Sequence, residues 1–289
     1  MRLNRILPGL SAAELVLIVV VAGFAWFWRS DEPQPFMIAA ANPYASEAGA
    51  AMLRKGGSAV DAAIAVQAVL SLVEPESSGL AGGAFMLHYD EKSGDVAAYD
   101  GRETAPMGAT PALFLDDEGE PLPFLEAMIG GSSVGTPGVV KMLWLAHEEY
   151  GKLEWAELFQ PAIKLAEGGF TVAPKLAEAI ARDPVLMQMP VAQDYFYRVN
   201  AEGMRVPAAE GDVLKNPAYA ETLKIIAAKG WKGFYEGPVA EEIVTTVQNA
   251  PRRPGTLALS DFASYEAKKR EPVCAAYRDY RGCYMPPPT

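Results

Sequence analysis

The sequence predicts an α+β fold, and three observations carry that prediction. Helix-period apolar segments bounded by cap and stop residues come first, at 42–57 and 58–75. The pattern then shortens to two apolar runs, 84–89 and 95–99, on either side of the turn cluster "DEKSGD". More helical stretches follow, and a second short hairpin closes the chain. Helices, hairpin, helices, hairpin is the order of a layered α+β structure rather than of a doubly wound parallel sheet.

The first thirty residues are a different material. Arg2 and Arg5 precede an apolar run from Leu15 to Trp28, and Arg29, Ser30, Asp31 and Glu32 close it. A basic start before an apolar stretch reads as an export signal, and residues 6–28 are long enough to enter a membrane. A good small-residue cleavage site is missing. We therefore expect residues 1–30 to be a signal anchor, with a cleaved signal peptide as the alternative. Either reading exports the remainder to the periplasm or the extracytoplasmic face. "DEPQPF" at 31–36 is a polar, proline-bearing linker, and a globular part is expected over 37–289.

That part opens with "NPYASEAGAAMLRKGG", a helix that Asn42 can cap, Pro43 can start and Gly56-Gly57 can stop. In "SAVDAAIAVQAVLSLVEP", Ser58 and Asp61 stand at capping-box spacing and Pro75 marks the end. The body of this helix is apolar nearly all round, so burial on most sides is expected. A hairpin at 84–99 comes next. Helices are expected at 137–150, 155–168, 174–183, 217–229 and 238–249, with residues 185–215 irregular. "PVCAAYRDYRGCYMPPP" reads as the second hairpin.

The charge balance narrows the function. With Lys plus Arg 25 against Asp plus Glu 36, the net charge is −11, which argues against nucleic acid as a partner. Against that background a lone cation in a cleft would focus an anionic ligand. Arg102, just beyond the second hairpin strand, is either a surface residue in an ion pair with Glu103 or a clamp for a carboxylate. His88 and His147 lie far apart and there is no CxxC, so no metal site and no cofactor are expected. "GSSVG" at 131–135 matches the nucleophile-elbow pattern with Ser133 at its centre, but its only downstream histidine, His147, sits on the helix that follows. "SGLAGGAF" is either a tight turn feeding a strand or a backbone wall that a ligand approaches closely. If Arg278-Asp279 is a two-residue loop, Tyr277 faces Tyr280 and, stepping outward, Cys274 faces Cys283. That register admits a disulfide.

Several blocks, taken in order, carry a family resemblance. They include the stretch from "AAANPYASEAGAAMLRKGG" to "GLAGGAFML", then "YDGRETAP", "GSSVGTPGVVKMLWLAHEEYGKLEWAELFQPAIKLAEGGFTV", "LSDFASYEAKKREPV" and "YRDYRGCYMPPP". From about residue 37 onward the chain resembles the gamma-glutamyltransferase family, the glutathione hydrolases of the N-terminal-nucleophile hydrolase superfamily. The resemblance implies an αββα sandwich made when a precursor cuts itself into large and small subunits, with this chain most of the large one. It implies that Arg102 binds the α-carboxylate of a gamma-glutamyl compound such as glutathione, with Glu103 beside it. It places the nucleophilic threonine beyond residue 289, at the start of a small-subunit partner, so that this chain alone is expected to be inactive. Thr289 is not expected to be that threonine. "GLAGGAF" departs from the family in carrying Ala81 and Ala84 where glycine is usual. The alternatives are a membrane-tethered domain that binds gamma-glutamyl ligands without turnover, and a beta-lactam acylase for glutaryl-type side chains.

Overall fold

Asn42 and Ser58 begin the structured chain as the sequence leads one to expect. In this computed structural model, which describes residues 36–287, the Asn42 side chain accepts from the Tyr44 amide at 3.0 Å and starts α1, Pro43–Arg54. Ser58 Oγ accepts from Asp61 N, and Asp61 Oδ2 accepts from Ser58 N at 2.7 Å, so the capping box that starts α2, Ala59–Val73, is complete. Residues 1–30, all but the last residue of the linker, and Thr289 lie outside the described residues. Among the described residues no helix is long and apolar enough to cross a membrane.

The architecture is α+β. The two helices pack tightly enough that a Cβ on Gly49 would lie 2.8 Å from Val66 Cγ2. Asp61 is fully buried at the start of α2, and its Oδ2 also accepts from the Lys152 and Leu153 amides at 3.0 and 3.2 Å. One carboxylate thereby joins α2 to the end of α4, Val139–Tyr150. Between them in sequence, β1 (Ala84–Asp90) and β2 (Asp95–Gly101) form the first hairpin, and a short helix, α3, spans Phe124–Met128.

The expected helix at 155–168 is two helices, α5 (Trp155–Leu158) and α6 (Gln160–Gly168), which meet at Phe159. Pro161 explains the break, because proline supplies no amide for a continuing ladder. After β3 (Phe170–Thr171), α7 runs Pro174–Arg182. Residues 185–215, expected to be irregular, contain α8 (Pro190–Phe196) and three short strands, β4 (Tyr197–Val199), β5 (Arg205–Pro207) and β6 (Val213–Leu214). Strands of two or three residues are too short to show an apolar alternation. The chain continues through α9 (Pro217–Lys229), α10 (Lys232–Tyr235), α11 (Pro238–Gln248) and α12 (Leu259–Ser264). It closes with β7 (Lys268–Arg270) and the hairpin of β8 (Val273–Tyr277) and β9 (Tyr280–Tyr284).

The main sheet has the order β1-β2-β7, antiparallel throughout. Met86, His88, Ala97 and Tyr99 share one face, and α4 covers it: His88 stacks on Tyr150 with ring centroids 3.8 Å apart, and Tyr99 Oη donates to Glu149 at 2.5 Å. The opposite face carries Leu87 and Tyr89, which are 43% and 62% exposed. In the last hairpin Tyr277 pairs with Tyr280 and Cys274 with Cys283, and the two sulfurs are bonded. Of the loop residues only Arg278 has φ above zero, at 54°, which is the demand of a II′ rather than a I′ turn.

Glu74, at the end of α2, shows how buried charge is managed here. Burial pushes its carboxyl up, but the Lys175 ammonium at 2.8 Å and the Asn42 amide at 2.9 Å outweigh that and hold it below the usual carboxylate range. Its folded pKa is depressed, so its contribution to stability is complete above the ordinary carboxylate range and is lost as acid protonates the folded form. Glu74→Gln is expected to remove that part of the acid sensitivity, read as a flatter dependence of Tm on pH below pH 5. At Gly138 a Cβ would strike the carbonyl of Gly101 and the Tyr265 hydroxyl. Gly138→Ala is expected to cost about 1–3 kcal/mol by overpacking, measured by denaturant unfolding.

Candidate functional site

Arg102 is the first residue beyond β2, and the sheet ladders end just before it. Its amide donates to Asp100 Oδ1 at 2.9 Å, and its carbonyl accepts from Tyr265 Oη at 2.9 Å. Asp100 is buried, and its other oxygen takes Arg270 Nε of β7 at 2.6 Å. Asp100 is therefore committed to the backbone and to Arg270, and does not draw the Arg102 guanidinium inward. The Arg102 side chain is 58% exposed, with Nε 3.7 Å from Glu103 Oε2. This is longer than a charge-assisted hydrogen bond, and the planar donor edge stays available to an outside carboxylate.

Glu103 is 35% exposed and lies against the glycine-rich loop. A Cβ on Gly83 would come within 2.6 Å of Glu103 Cδ and 2.9 Å of its amide, and one on Gly135 within 3.1 Å of Glu103 Cβ. "SGLAGGAF" is thus the tight turn that feeds β1, and the space its glycines leave is filled by Glu103 of this chain. Thr104 bridges Thr136, whose amide donates to the Thr104 carbonyl at 2.8 Å. The amides of Gly138 and Val139, at the start of α4, both donate to Gly82 O, at 2.9 and 3.2 Å. Segments 82–83, 101–104 and 135–139 thus meet at one place. A cleft of about 680 Å³ borders the same loop, lined by Ser78, Leu80, Tyr219, Phe234 and Ile243, and another of about 420 Å³ lies beside Ile129, Val134 and Met189. Arg102 lines neither of them and stands at an open surface beside Glu103.

The other sequence candidates separate from this place. Ser133 ends a 3-10 turn, Gly131–Ser133, and its one hydroxyl proton is shared between the carbonyls of Met128 at 2.7 Å and Gly130 at 3.0 Å. No strand leads into that turn, so the nucleophile elbow is not formed, and the hydroxyl is spent on local carbonyls. His147 Nε2 lies 2.9 Å from Leu153 O and 3.6 Å from Asp61, an arrangement that ties α4 to its own exit loop. His88 is packed under Tyr150. Cys274 and Cys283 belong to the last hairpin. No group of three or more potential metal ligands occurs among the described residues. What the sequence reading missed is Asp100 and Tyr265, which hold Arg102 from both sides. Asp100 stands in view two residues before Arg102, but Tyr265 is 163 residues away and no local pattern points to it.

With this geometry in hand, comparison with known proteins is specific. The gamma-glutamyltranspeptidase family model matches residues 45–289. The glutathione hydrolase proenzyme of Bacillus subtilis strain 168 is 41% identical over 253 residues, and the match covers 88% of this chain and 42% of that protein. The glutathione hydrolase proenzyme of Escherichia coli K12 is 36% identical over 255 residues with the same two coverages. The chain thus spans about two fifths of the length of these curated relatives. Among solved structures, the gamma-glutamyltranspeptidase of Helicobacter pylori superposes with a TM-score of 0.80 at 33% identity, over 88% of this chain and 70% of that one. Cephalosporin acylase from Bacillus halodurans gives 0.72 at 30% identity, over 89% of this chain and 49% of that one.

Because Ser133 Oγ is engaged with two carbonyls, a fluorophosphonate probe is expected to leave it unlabelled, as read by mass spectrometry of the peptide carrying it. Labelling there would show Ser133 to be an activated nucleophile after all.

Proposed function

This chain belongs to the gamma-glutamyltranspeptidase family, and from that premise we propose that it is the large-subunit portion of an exported enzyme that cleaves gamma-glutamyl amides such as glutathione. The observation that carries the proposal is the state of Arg102: its backbone is fixed on both sides while its guanidinium is left open beside a single acidic neighbour. In a chain of net charge −11 this is a place for a substrate α-carboxylate. A guanidinium takes it through two parallel N–H···O bonds, and the scissile amide is then set at a fixed distance from the clamp. Glu103, held against the glycine loop, sets a negative charge 3.7 Å from Arg102 Nε.

In this reading the chemistry is acyl transfer. The hydroxyl of a threonine beyond residue 289 attacks the gamma-carbonyl, and the amine of that same threonine takes the hydroxyl proton. Backbone N–H groups carry the oxyanion charge. The C–N bond breaks, the amine leaves with the proton, and an ester of the threonine remains. Water or an amino acid then releases the gamma-glutamyl group. The partner implied is the small subunit of the same precursor, for which exposed Leu87 and Tyr89 supply apolar surface. Residues 6–28 would tether the whole to a membrane. The likeness to the Bacillus halodurans acylase favours a second reading, in which the same clamp holds the acid end of a glutaryl-type side chain of a beta-lactam.

The test is Arg102→Lys in the complete two-subunit protein. Losing the bidentate contact is expected to raise KM for a gamma-glutamyl anilide by about 10- to 100-fold, the worth of a charged hydrogen bond, with a smaller change in kcat. An unchanged KM would remove the clamp from the mechanism.

A further inference from the structure

A residue just past the end of a strand has no ladder to hold it. The β1-β2 pairing stops at Ala84↔Gly101 and the β2-β7 pairing at Asp100↔Lys268, so the amide and carbonyl of Arg102 fall outside both. Left to water, those groups would let the peptide planes on either side of Arg102 rotate, and its side chain would sweep a wide arc. Here two side chains take over the work of the missing ladder. Asp100 Oδ1 accepts from the amide, and Tyr265 Oη donates to the carbonyl, each at 2.9 Å.

Both side chains are themselves anchored. Asp100 is held by Arg270 from β7. Tyr265 is buried, its ring stacked on Tyr235 at 16° between planes, and its own carbonyl accepts from the buried Lys141 Nζ. Tyr235 in turn donates to Pro137 O at 2.7 Å, next to the segment that packs on Gly101. Burial, together with the charges of Asp100 and Glu103, pushes the Tyr265 phenol above its ordinary range, so its hydroxyl keeps its proton and acts as a donor.

We propose that Tyr265 and Asp100 are positioning residues for substrate: a side-chain vise on the Arg102 backbone that aims the guanidinium at an incoming α-carboxylate. This rests on the clamp reading of Arg102 and adds the parts that make the clamp directional. It also assigns work to two residues that lie far apart in the sequence and are not themselves placed in contact with substrate.

The test uses the complete two-subunit protein and two competitive inhibitors, L-glutamate and 4-aminobutyrate, which differ only in the α-carboxylate. Tyr265→Phe removes one hydroxyl and keeps the ring. It is expected to weaken glutamate inhibition roughly 3- to 10-fold, to leave 4-aminobutyrate inhibition unchanged, and to raise KM for a gamma-glutamyl anilide while kcat stays within about twofold. Asp100→Asn, which can still accept from the amide but loses its charge on Arg270, is expected to give a smaller change of the same kind, and serves if Tyr265→Phe does not fold. Equal weakening of both inhibitors, or a fall in kcat with KM unmoved, would overturn the proposal in favour of a purely structural role. Arg102→Lys separates the two levels. If it leaves glutamate inhibition unchanged, the clamp reading itself falls. If it weakens glutamate while neither vise variant does, the clamp stands and the vise falls.

Discussion

Asp100 is the point at which the sheet and the proposed site become one structure. A single buried carboxylate accepts from a backbone amide of the next turn and from a guanidinium on a strand 170 residues away. Without Arg270, the carboxylate would be a buried charge balanced only by an amide, which is costly in a low-dielectric interior. Without Asp100, β7 would meet β2 over three residue pairs and little else. The pair therefore fixes two things at once, where the third strand lies and where the chain leaves the second.

Around that point the packing depends on the absence of side chains. The end of β2 lies so close to α4 that a Cβ on Gly101 would be 2.5 Å from Met142 Cβ, and Gly138 returns the approach from the helix side. Gly83 clears the volume that Glu103 fills. These contacts let helix start, strand end and glycine loop share one small space, and the hydrogen bonds from Gly138 and Val139 to Gly82 O satisfy the polar backbone that such crowding would otherwise strand. Two amides of the α4 N-terminus are consumed in this way, so the positive end of that helix serves the fold. The cationic character of the place comes from Arg102.

Local chemistry was readable where a signal and its consequence lie within a few residues. Asn42 and Ser58 announce their helices, and their side chains make the bonds their positions imply. The strand pair around "DEKSGD" and the register of the last hairpin follow from turn residues and counting. Proline at 161 marked a break that a reading by apolar period alone passed over. The strand "KKR" has no apolar alternation at all; it is a strand because Arg270 meets Asp100 and because Lys269 reaches Glu149 at 2.5 Å. "GSSVG" has the letters of an elbow, but the position of His147 already spoke against it, and the segment is a 3-10 turn with no strand before it.

From its sequence alone this protein determined its helix caps, its two hairpins, the facing of Cys274 with Cys283, the acidic balance that isolates Arg102, and the ordered blocks of its family. These are short-range or compositional properties, and backbone geometry carries them from residue to neighbour. Only the tertiary structure decided that Glu103 fills the glycine loop, that Tyr265 reaches Arg102 across 163 residues, and that the guanidinium stands open. Those outcomes depend on which distant surfaces are brought within about 3 Å, the range over which a hydrogen bond or a missing Cβ has any effect.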